Sequence, residues 1–310
     1  MRHRTSGLAA GLVVITALIS PARAEKIVIG FSASTAFSTA FVAANEGLFK
    51  KHGVDVEMKL VPNSSTTPAA LMADSLQVAT PTAPVTMQAI EQGLDLVVVA
   101  GGGYYVKGME DVAVMVRPDS TIKTAKDLEG KRVATAGLNG FLHVLFRKWM
   151  ADNGGDYKKV NFTETAFAQQ IDVLRGGQVD AILAVQPFLS RGLETNAGKV
   201  ISYYIADLEG ETLSGWFVAT RAWVKKNPKD IEAFRTAMKE ADELMQKDPS
   251  VVTKANLVYI PFPAEVQAKF APGKYRFEVQ PQALDKWNKI CLEQGMLKKP
   301  LDYDKVVYKP

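Results

Sequence analysis

The sequence predicts an α/β fold that is divided between two lobes of similar build. Short apolar strand patterns alternate with helix patterns along most of the chain, which is typical of parallel sheets covered by helices. Residues 71–80 and 174–181 share one order of features, in which a helix end and a short turn lead to Gln-Val and a strand. The chain has 310 residues, 47% of them hydrophobic, which is enough for two lobes.

The first 24 residues predict export. A basic start at Arg2 and Arg4 precedes an apolar run at residues 8–19, and residues 21–24 form a small-x-small cleavage pattern. This order is typical of a secretory signal peptide. The apolar run is also shorter than the roughly 20 residues that cross a bilayer. We therefore expect a signal peptide over residues 1–24, cleaved after Ala24, and a mature protein in the periplasm.

The charge balance and the cysteine content narrow the range of partners. Without Arg2, Arg4 and Arg23 of the predicted leader, 34 basic and 33 acidic residues remain, a net charge of +1. This near-neutral balance gives no reason to expect a nucleic-acid partner. Cys291 is the only cysteine, so no internal disulfide is expected, and no cysteine at the cleavage site could carry a lipid. We expect a free monomer.

The first lobe is expected to comprise residues 25–117 and 216–310. Its helices are predicted to start near Phe37, Pro68, Thr82 and Pro228, with proline-bearing breaks later in the chain at residues 261–263 and 272. Arg117 and Pro118 break an apolar run, and we expect the chain to leave the first lobe there and to return at Trp216. The strands of this lobe are predicted at residues 25–31, 54–60, 77–80, 94–100, 112–116 and 216–220.

The second lobe is expected to comprise residues 118–215. Strands are predicted at residues 131–136, 160–163 and 178–185, and a further helix at residues 167–174. The turn at residues 137–140 is rich in glycine, and an amphipathic helix follows from Phe141. A helix that begins directly after such a turn offers unpaired N–H groups and a partial positive charge. The turn is therefore a candidate cradle for a polar or anionic group.

Residues suited to catalysis are sparse. The mature chain contains only His52 and His143, and no Cys, His and carboxylate cluster has metal-ligand spacing. The Ser-x-x-Lys pattern at residues 120–123 lacks the companion motifs of penicillin-recognising enzymes, and no phosphate-binding loop is present in the sequence. His143 fits a packing role better than that of a base. We expect no enzyme activity, no metal and no cofactor.

Small polar residues instead follow successive predicted strands in both lobes. In open α/β sheets ligands bind outside the carboxyl ends of the strands. Hydroxyls, amides, helix N-termini and aromatic walls suit a neutral or singly anionic ligand. We expect the ligand site to comprise Ser34, Thr35, Phe37, Ser64, Thr82, Tyr104, Gly137, Asn139, Gly140, Phe141, Gln186 and Trp216.

Four segments carry a resemblance to a known family, at residues 41–56, 125–134, 173–181 and 216–228. In this order they resemble the periplasmic substrate-binding proteins of ABC importers, in the NMT1-like branch that includes sulfonate-, taurine-, nitrate- and thiamine-precursor-binding proteins. The resemblance implies a two-lobed periplasmic binding protein fold of type II with two crossings between the lobes. It also implies a small-molecule ligand that is delivered to an ABC transporter permease with a cytoplasmic ATPase.

The resemblance further implies which loops hold the ligand: the turn after the first strand, residues 80–82, residues 137–141 and the loop after Val185. That last loop often carries Trp-Glu-Pro in the family, whereas this chain has Gln186-Pro187-Phe188. The missing glutamate favours an anion or a neutral polar molecule as ligand.

Two alternatives stay open at the level of the sequence. The same fold serves as an extracytoplasmic sensor module that reports its ligand state to a membrane receptor. Some pyrimidine-forming relatives are enzymes, but they need a centre rich in cysteine and histidine. Cys291, alone near the C-terminus, argues against that second alternative.

Overall fold

The computed structural model describes residues 26–260 and 273–310. The predicted signal peptide and the predicted breaks at residues 261–263 and 272 lie outside the described residues. The strands are β1 (Ile27–Phe31), β2 (Val56–Leu60), β3 (Val78–Ala79), β4 (Leu96–Gly101), β5 (Gly103–Tyr105), β6 (Val112–Val116), β7 (Arg132–Thr135), β8 (Asn161–Glu164), β9 (Ala181–Val185), β10 (Lys199–Ser202), β11 (Thr212–Leu213), β12 (Trp216–Thr220) and β13 (Lys274–Tyr275).

Two five-stranded sheets form the two lobes, which confirms the predicted fold class. The first sheet has the order β2-β1-β3-β12-β4, and β1 runs parallel to both β2 and β3. The second has the order β10-β6-β9-β7-β8, and β7 runs parallel to both β8 and β9. In each sheet an antiparallel strand, β12 or β6, lies beside the parallel set. The two lobes therefore share one topology.

The shared topology explains the repeated Gln-Val pattern. Gln77 lies directly before β3, and Gln178 lies shortly before β9. These two strands occupy equivalent places, since each is the inner neighbour of the first strand of its parallel set. The side chain of Gln77 accepts a hydrogen bond from the backbone N–H of Val28 on β1, at 2.9 Å.

The first crossing between the lobes lies earlier than the sequence predicted. β6, which was expected in the first lobe, pairs with β9 and β10 in the second sheet. The chain therefore changes lobes between Tyr105 and Val112, ahead of the predicted boundary at residue 117. A small third sheet, in the order β11-β5-β13, joins the strands at this hinge.

Helices cover both sheets, and the helix expected from Pro228 begins at that residue. Phe41, Phe217 and Phe234 are fully buried between the first sheet and its helices. No helix in the described ranges 26–260 and 273–310 is long and apolar enough to cross a membrane. The helices are α1 (Ser38–Asn45), α2 (Leu48–Lys51), α3 (Thr67–Met72), α4 (Ala83–Glu91), α5 (Phe141–Asp152), α6 (Phe167–Arg175), α7 (Phe188–Glu194), α8 (Arg221–Lys226), α9 (Pro228–Lys247), α10 (Ser250–Tyr259), α11 (Pro281–Glu293) and α12 (Tyr303–Val306).

Candidate ligand-binding cleft

A cavity lies between the two lobes, where the carboxyl ends of their parallel strands face each other. It encloses about 570 Å³ of empty space, part of it open to solvent. Pockets for small organic ligands typically have about 300–1,000 Å³. We call this cavity the cleft. Its walls are formed by Ser32, Ser34, Ala36, Phe37, Pro62, Ser64, Thr82, Tyr105, Thr135, Ala136, Gly137, Gly140, Phe141, Leu142, Phe167, Val185 and Ser214.

The first lobe contributes the turns that follow β1, β2 and β3. The hydroxyl of Ser34 accepts a hydrogen bond from Ala36 N–H at 3.3 Å, which caps a short 3-10 helix over Thr35–Phe37. This cap holds the side chain of Phe37 against the wall of the cleft, where it is buried. Thr82 stands at the start of α4 and faces the second lobe.

The second lobe contributes the end of β7, the glycine turn and the start of α5. Gly140 precedes α5 and has no side chain to cap it, so the first N–H groups of the helix need other acceptors. Phe141 N–H finds one across the cleft, at 3.2 Å from the hydroxyl oxygen of Thr82. At this point the two lobes are joined by a direct hydrogen bond.

Gly137 allows the closest approach of the two lobes in the cleft. A Cβ atom placed on Gly137 would lie 2.8 Å from Ser64 Oγ of the first lobe. Beside it, the hydroxyl of Ser65 donates a short hydrogen bond to the carboxylate of Glu164, again from one lobe to the other. Glycine is therefore required here by space and not by backbone conformation.

Two buried hydroxyls on opposite sides of the cleft have no hydrogen-bond partner among the described residues. They are Ser32 Oγ from the end of β1 and Thr135 Oγ1 from the end of β7. A buried polar group without a partner costs about 1–3 kcal/mol. Both groups occupy equivalent places in the two lobes, so a polar molecule in the cleft could satisfy them together.

Aromatic rings form the apolar part of the wall. Tyr105 stacks on Phe141 with ring centroids 5.3 Å apart, and Trp287 of α11 packs edge-on against Phe141 at 5.7 Å. Phe37 and Phe167 add apolar surface from the two lobes. No charged side chain lines the cleft among the described residues, so its polarity comes from hydroxyls and backbone groups.

The structure brings seven of the twelve predicted site residues to the cleft. Thr35 and Tyr104 line a neighbouring pocket at the hinge instead. On β5 successive side chains alternate in direction, so Tyr105 and not Tyr104 faces the cleft. The seven residues at the cleft are Ser34, Phe37, Ser64, Thr82, Gly137, Gly140 and Phe141.

The other three predicted residues have partners elsewhere. The side chain of Asn139 donates to Gln88 Oε1 of the first lobe at 3.2 Å. Gln186 accepts a hydrogen bond from Ser190 N–H at 3.2 Å, which ties it to its own helix turn. Trp216 is fully buried, and its indole N–H donates to the hydroxyl of Thr86 at 2.8 Å. The structure therefore assigns Asn139, Gln186 and Trp216 to supporting positions outside the cleft wall.

The list of predicted site residues omitted some that line the cleft. Thr135 is the last residue of β7, and a polar residue that ends an apolar strand is a signal that sequence alone could have supplied. Tyr105 could not be separated from Tyr104 without the pleat of β5. Phe167 and Leu142 read as ordinary core positions in helix patterns, since only the meeting of the lobes exposes them to the cleft.

The ionisable candidates lie away from the cleft wall. His143 is buried, and its Nδ1 accepts a hydrogen bond from Asn139 N–H at 2.8 Å. Burial and the nearby charge of Arg147 lower the pKa of His143 to about 3, so the ring is neutral. Burial also raises the pKa of the Cys291 thiol to about 12. In the described parts of the chain, no group of three or more His, Cys, Asp or Glu residues is placed to hold a metal ion.

Comparison with known proteins places the chain in a family. A family model for NMT1/THI5-like proteins matches residues 34–251. This match covers more than half of the chain, so the chain belongs to that family. A Haemophilus influenzae protein, whose name provisionally assigns it to thiamine biosynthesis, is 25% identical over 221 residues, which cover 71% of this chain and 68% of that protein.

Solved structures share the fold. The alkanesulfonate-binding protein SsuA from Xanthomonas axonopodis pv. citri, bound to MOPS, has a TM-score of 0.73 at 18% identity and covers 92% of this chain and 98% of its own. A desulfurization enzyme, DszB, has a TM-score of 0.62 at 14% identity and covers 91% of this chain and 95% of its own. The same two-lobed fold therefore serves both a binding protein and an enzyme.

Proposed function

We propose that the protein is a periplasmic solute receptor, which captures a small organic molecule in the cleft and delivers it to an ABC transporter permease with a cytoplasmic ATPase. The observation that carries this proposal is the pair of unpartnered buried hydroxyls, Ser32 and Thr135, on opposite lobes. A ligand that contacts both lobes binds the closed arrangement more tightly than the open one. Ligand capture and lobe closure are then one event, which a permease could read.

The cleft wall defines the ligand's chemistry. The N-terminus of α5 and the hydroxyls of Ser32, Thr82 and Thr135 suit a neutral or singly anionic polar head. Phe37, the stacked Phe141 and the other aromatic rings suit an apolar body. The likeness to an alkanesulfonate-binding protein makes organic sulfonates the first compounds to test.

The groups on the wall favour binding over catalysis. The side-chain oxygens that face the cleft belong to serine, threonine and tyrosine, and a hydroxyl needs an adjacent base to act as a nucleophile. His143 is turned away towards Asn139 N–H. We therefore propose a receptor and not an enzyme. Recovery of a candidate ligand unchanged after prolonged incubation with the protein supports this, and turnover contradicts it.

Native mass spectrometry of the protein purified from the periplasm, followed by a thermal-shift screen, tests the proposal. The screen comprises alkanesulfonates, nitrate, small carboxylic acids and pyrimidines. We expect a bound small molecule and a rise in melting temperature with at least one class. If no small molecule copurifies and no class raises the melting temperature, the proposal fails.

A matched pair of variants then locates the binding site. Thr135→Val removes the unpartnered hydroxyl in the cleft and should weaken binding of the identified ligand. Thr39→Val makes the same change at another buried, unpartnered threonine, which lies on α1 outside the cleft wall. This control should bind as the wild type does. Equal effects of the two substitutions would contradict a site in the cleft.

Two further parts of the proposal concern location and assembly. Export predicts that the N-terminus of the mature protein is Glu25, which N-terminal sequencing of periplasmic material checks. A monomer predicts a light-scattering mass of one chain, with or without ligand. A stable dimer would contradict that second part alone.

A further inference from the structure

A second, smaller pocket adjoins the cleft at the hinge. It encloses about 250 Å³, part of it open to solvent, and lies against β5, β13 and the segment that leads into β6. We call it the hinge pocket. Ala36, Tyr105 and Ser214 line both the cleft and the hinge pocket, so a molecule in one lies next to the other.

Asp111 supplies the only carboxylate on the wall of the hinge pocket among the described residues. It stands directly before β6, where the chain passes from one lobe to the other. Its backbone carbonyl accepts a hydrogen bond from Gln186 N–H at 2.9 Å. Its side chain, which is partly buried, makes no hydrogen bond or ion pair with any described residue. Burial raises the pKa of this carboxyl above its usual range, which shows that the carboxylate lacks a compensating charge.

The remaining wall of the hinge pocket suits a cation. Tyr104, Tyr105 and Tyr275 place aromatic rings around it, and the faces of such rings attract positive charge. The Tyr104 ring already carries one cation, since the guanidinium carbon of Arg276 lies 5.0 Å from its centroid. Lys274 also lines the pocket, but it forms no ion pair with Asp111.

We propose that the hinge pocket holds a cationic nitrogen, an ammonium or amidinium group, belonging to the molecule bound in the cleft, with Asp111 as its counter-ion. This inference rests on the proposed solute-binding function and specifies its ligand. The polar or anionic head of the ligand lies at the start of α5, and its positively charged end lies at Asp111. Asp111 also sits at the crossing between the lobes, so an ion pair there forms at the point about which the lobes turn.

Paired probes of graded length test the hinge pocket. The probes are aminoalkanesulfonates with two, three and four carbons, each compared with the alkanesulfonate of the same chain length, and n-butylammonium chloride alone. At one chain length or more, the amine-bearing compound should bind roughly tenfold or more tightly than its partner, since hydrogen bonds to charged groups contribute about 1.5–3 kcal/mol. n-Butylammonium should raise the melting temperature of the wild type at millimolar concentration.

Asp111→Asn should abolish both the advantage of the amine and the effect of n-butylammonium. Glu110→Gln removes one negative charge at the adjacent, exposed position outside the pocket and should retain both. The proposal is overturned if no amine binds more tightly than its partner, or if the advantage survives in Asp111→Asn. A cleft that binds alkanesulfonates with no preference for amines would overturn the hinge-pocket inference and leave the receptor proposal standing. Failure of every compound in both screens would count against both.

Discussion

Replacing Gly137 by alanine should hold the two lobes apart. The added Cβ would lie 2.8 Å from Ser64 Oγ on the opposite lobe, a distance that real Cβ atoms essentially never show. The next neighbours, Ser65 N and Glu164 Oε1, lie at 3.8 and 3.9 Å and would be ordinary contacts. The backbone of Gly137 is not in the left-handed region, so alanine adopts it without strain. The whole effect therefore falls on the approach of the lobes.

Overpacking of this kind costs about 1–3 kcal/mol. The penalty applies to the closed arrangement only, because opening the cleft separates the two atoms. Ligand affinity should then fall by about 5- to 150-fold, at about 1.4 kcal/mol for each factor of ten. The melting temperature of the unliganded protein should change little. Small-angle X-ray scattering should show a larger radius of gyration, and isothermal titration with the identified ligand should show the weaker binding.

A double-mutant cycle separates a steric effect from an unrelated loss. Ser64→Ala removes the atom that the new methyl group meets, so Gly137→Ala should be much less harmful in that background. If Gly137→Ala binds ligand as the wild type does, the lobes do not approach as described. If the loss is equally large with and without Ser64 Oγ, the contact between Gly137 and Ser64 is not its cause.

Three further predictions concern the contacts around the glycine turn. Asn139→Gly keeps the positive φ of 58° available but removes the hydrogen bond to Gln88 across the lobes, so it should weaken ligand binding roughly two- to tenfold; Gln88→Leu should do the same, and an effect of only one of them would contradict a shared bond. Thr82→Val leaves Phe141 N–H without its acceptor and should weaken binding several-fold in titration calorimetry, whereas Thr82→Ser should restore it. For His143, whose pKa is lowered from 6.5 to about 3, the unfolded chain takes up a proton below pH 6.5 while the folded protein does not. His143 should therefore reduce the free energy of unfolding by about 1.4 kcal/mol per pH unit as the pH falls from 6.5 towards 3, with no effect above that range; denaturant titrations should show a shallower acid dependence for His143→Asn, and equal slopes would refute the assignment.

The local patterns of the sequence determined the two-lobed α/β class and the neighbourhood of the site. Alternating strands and helices fix a parallel sheet, and ligands of such sheets lie at the carboxyl ends of the strands. Ser34, Thr82 and the turn at Gly137 could be found in this way because each follows a strand directly. These are local features, which depend on neighbours within a few residues along the chain.

The tertiary structure decided the features that depend on pairing between distant residues. Val112–Val116 has the same apolar character as strands of either sheet, and only its pairing with β9 places it in the second lobe. Tyr104 and Tyr105 point to opposite faces of one strand, and only the position of the cleft shows which of them faces it. Asn139 follows a glycine turn as a ligand-binding residue would, yet Gln88, 51 residues away, binds its side chain. Sequence patterns specify which face of an element is apolar, whereas the partner of that face is set by packing across the whole chain.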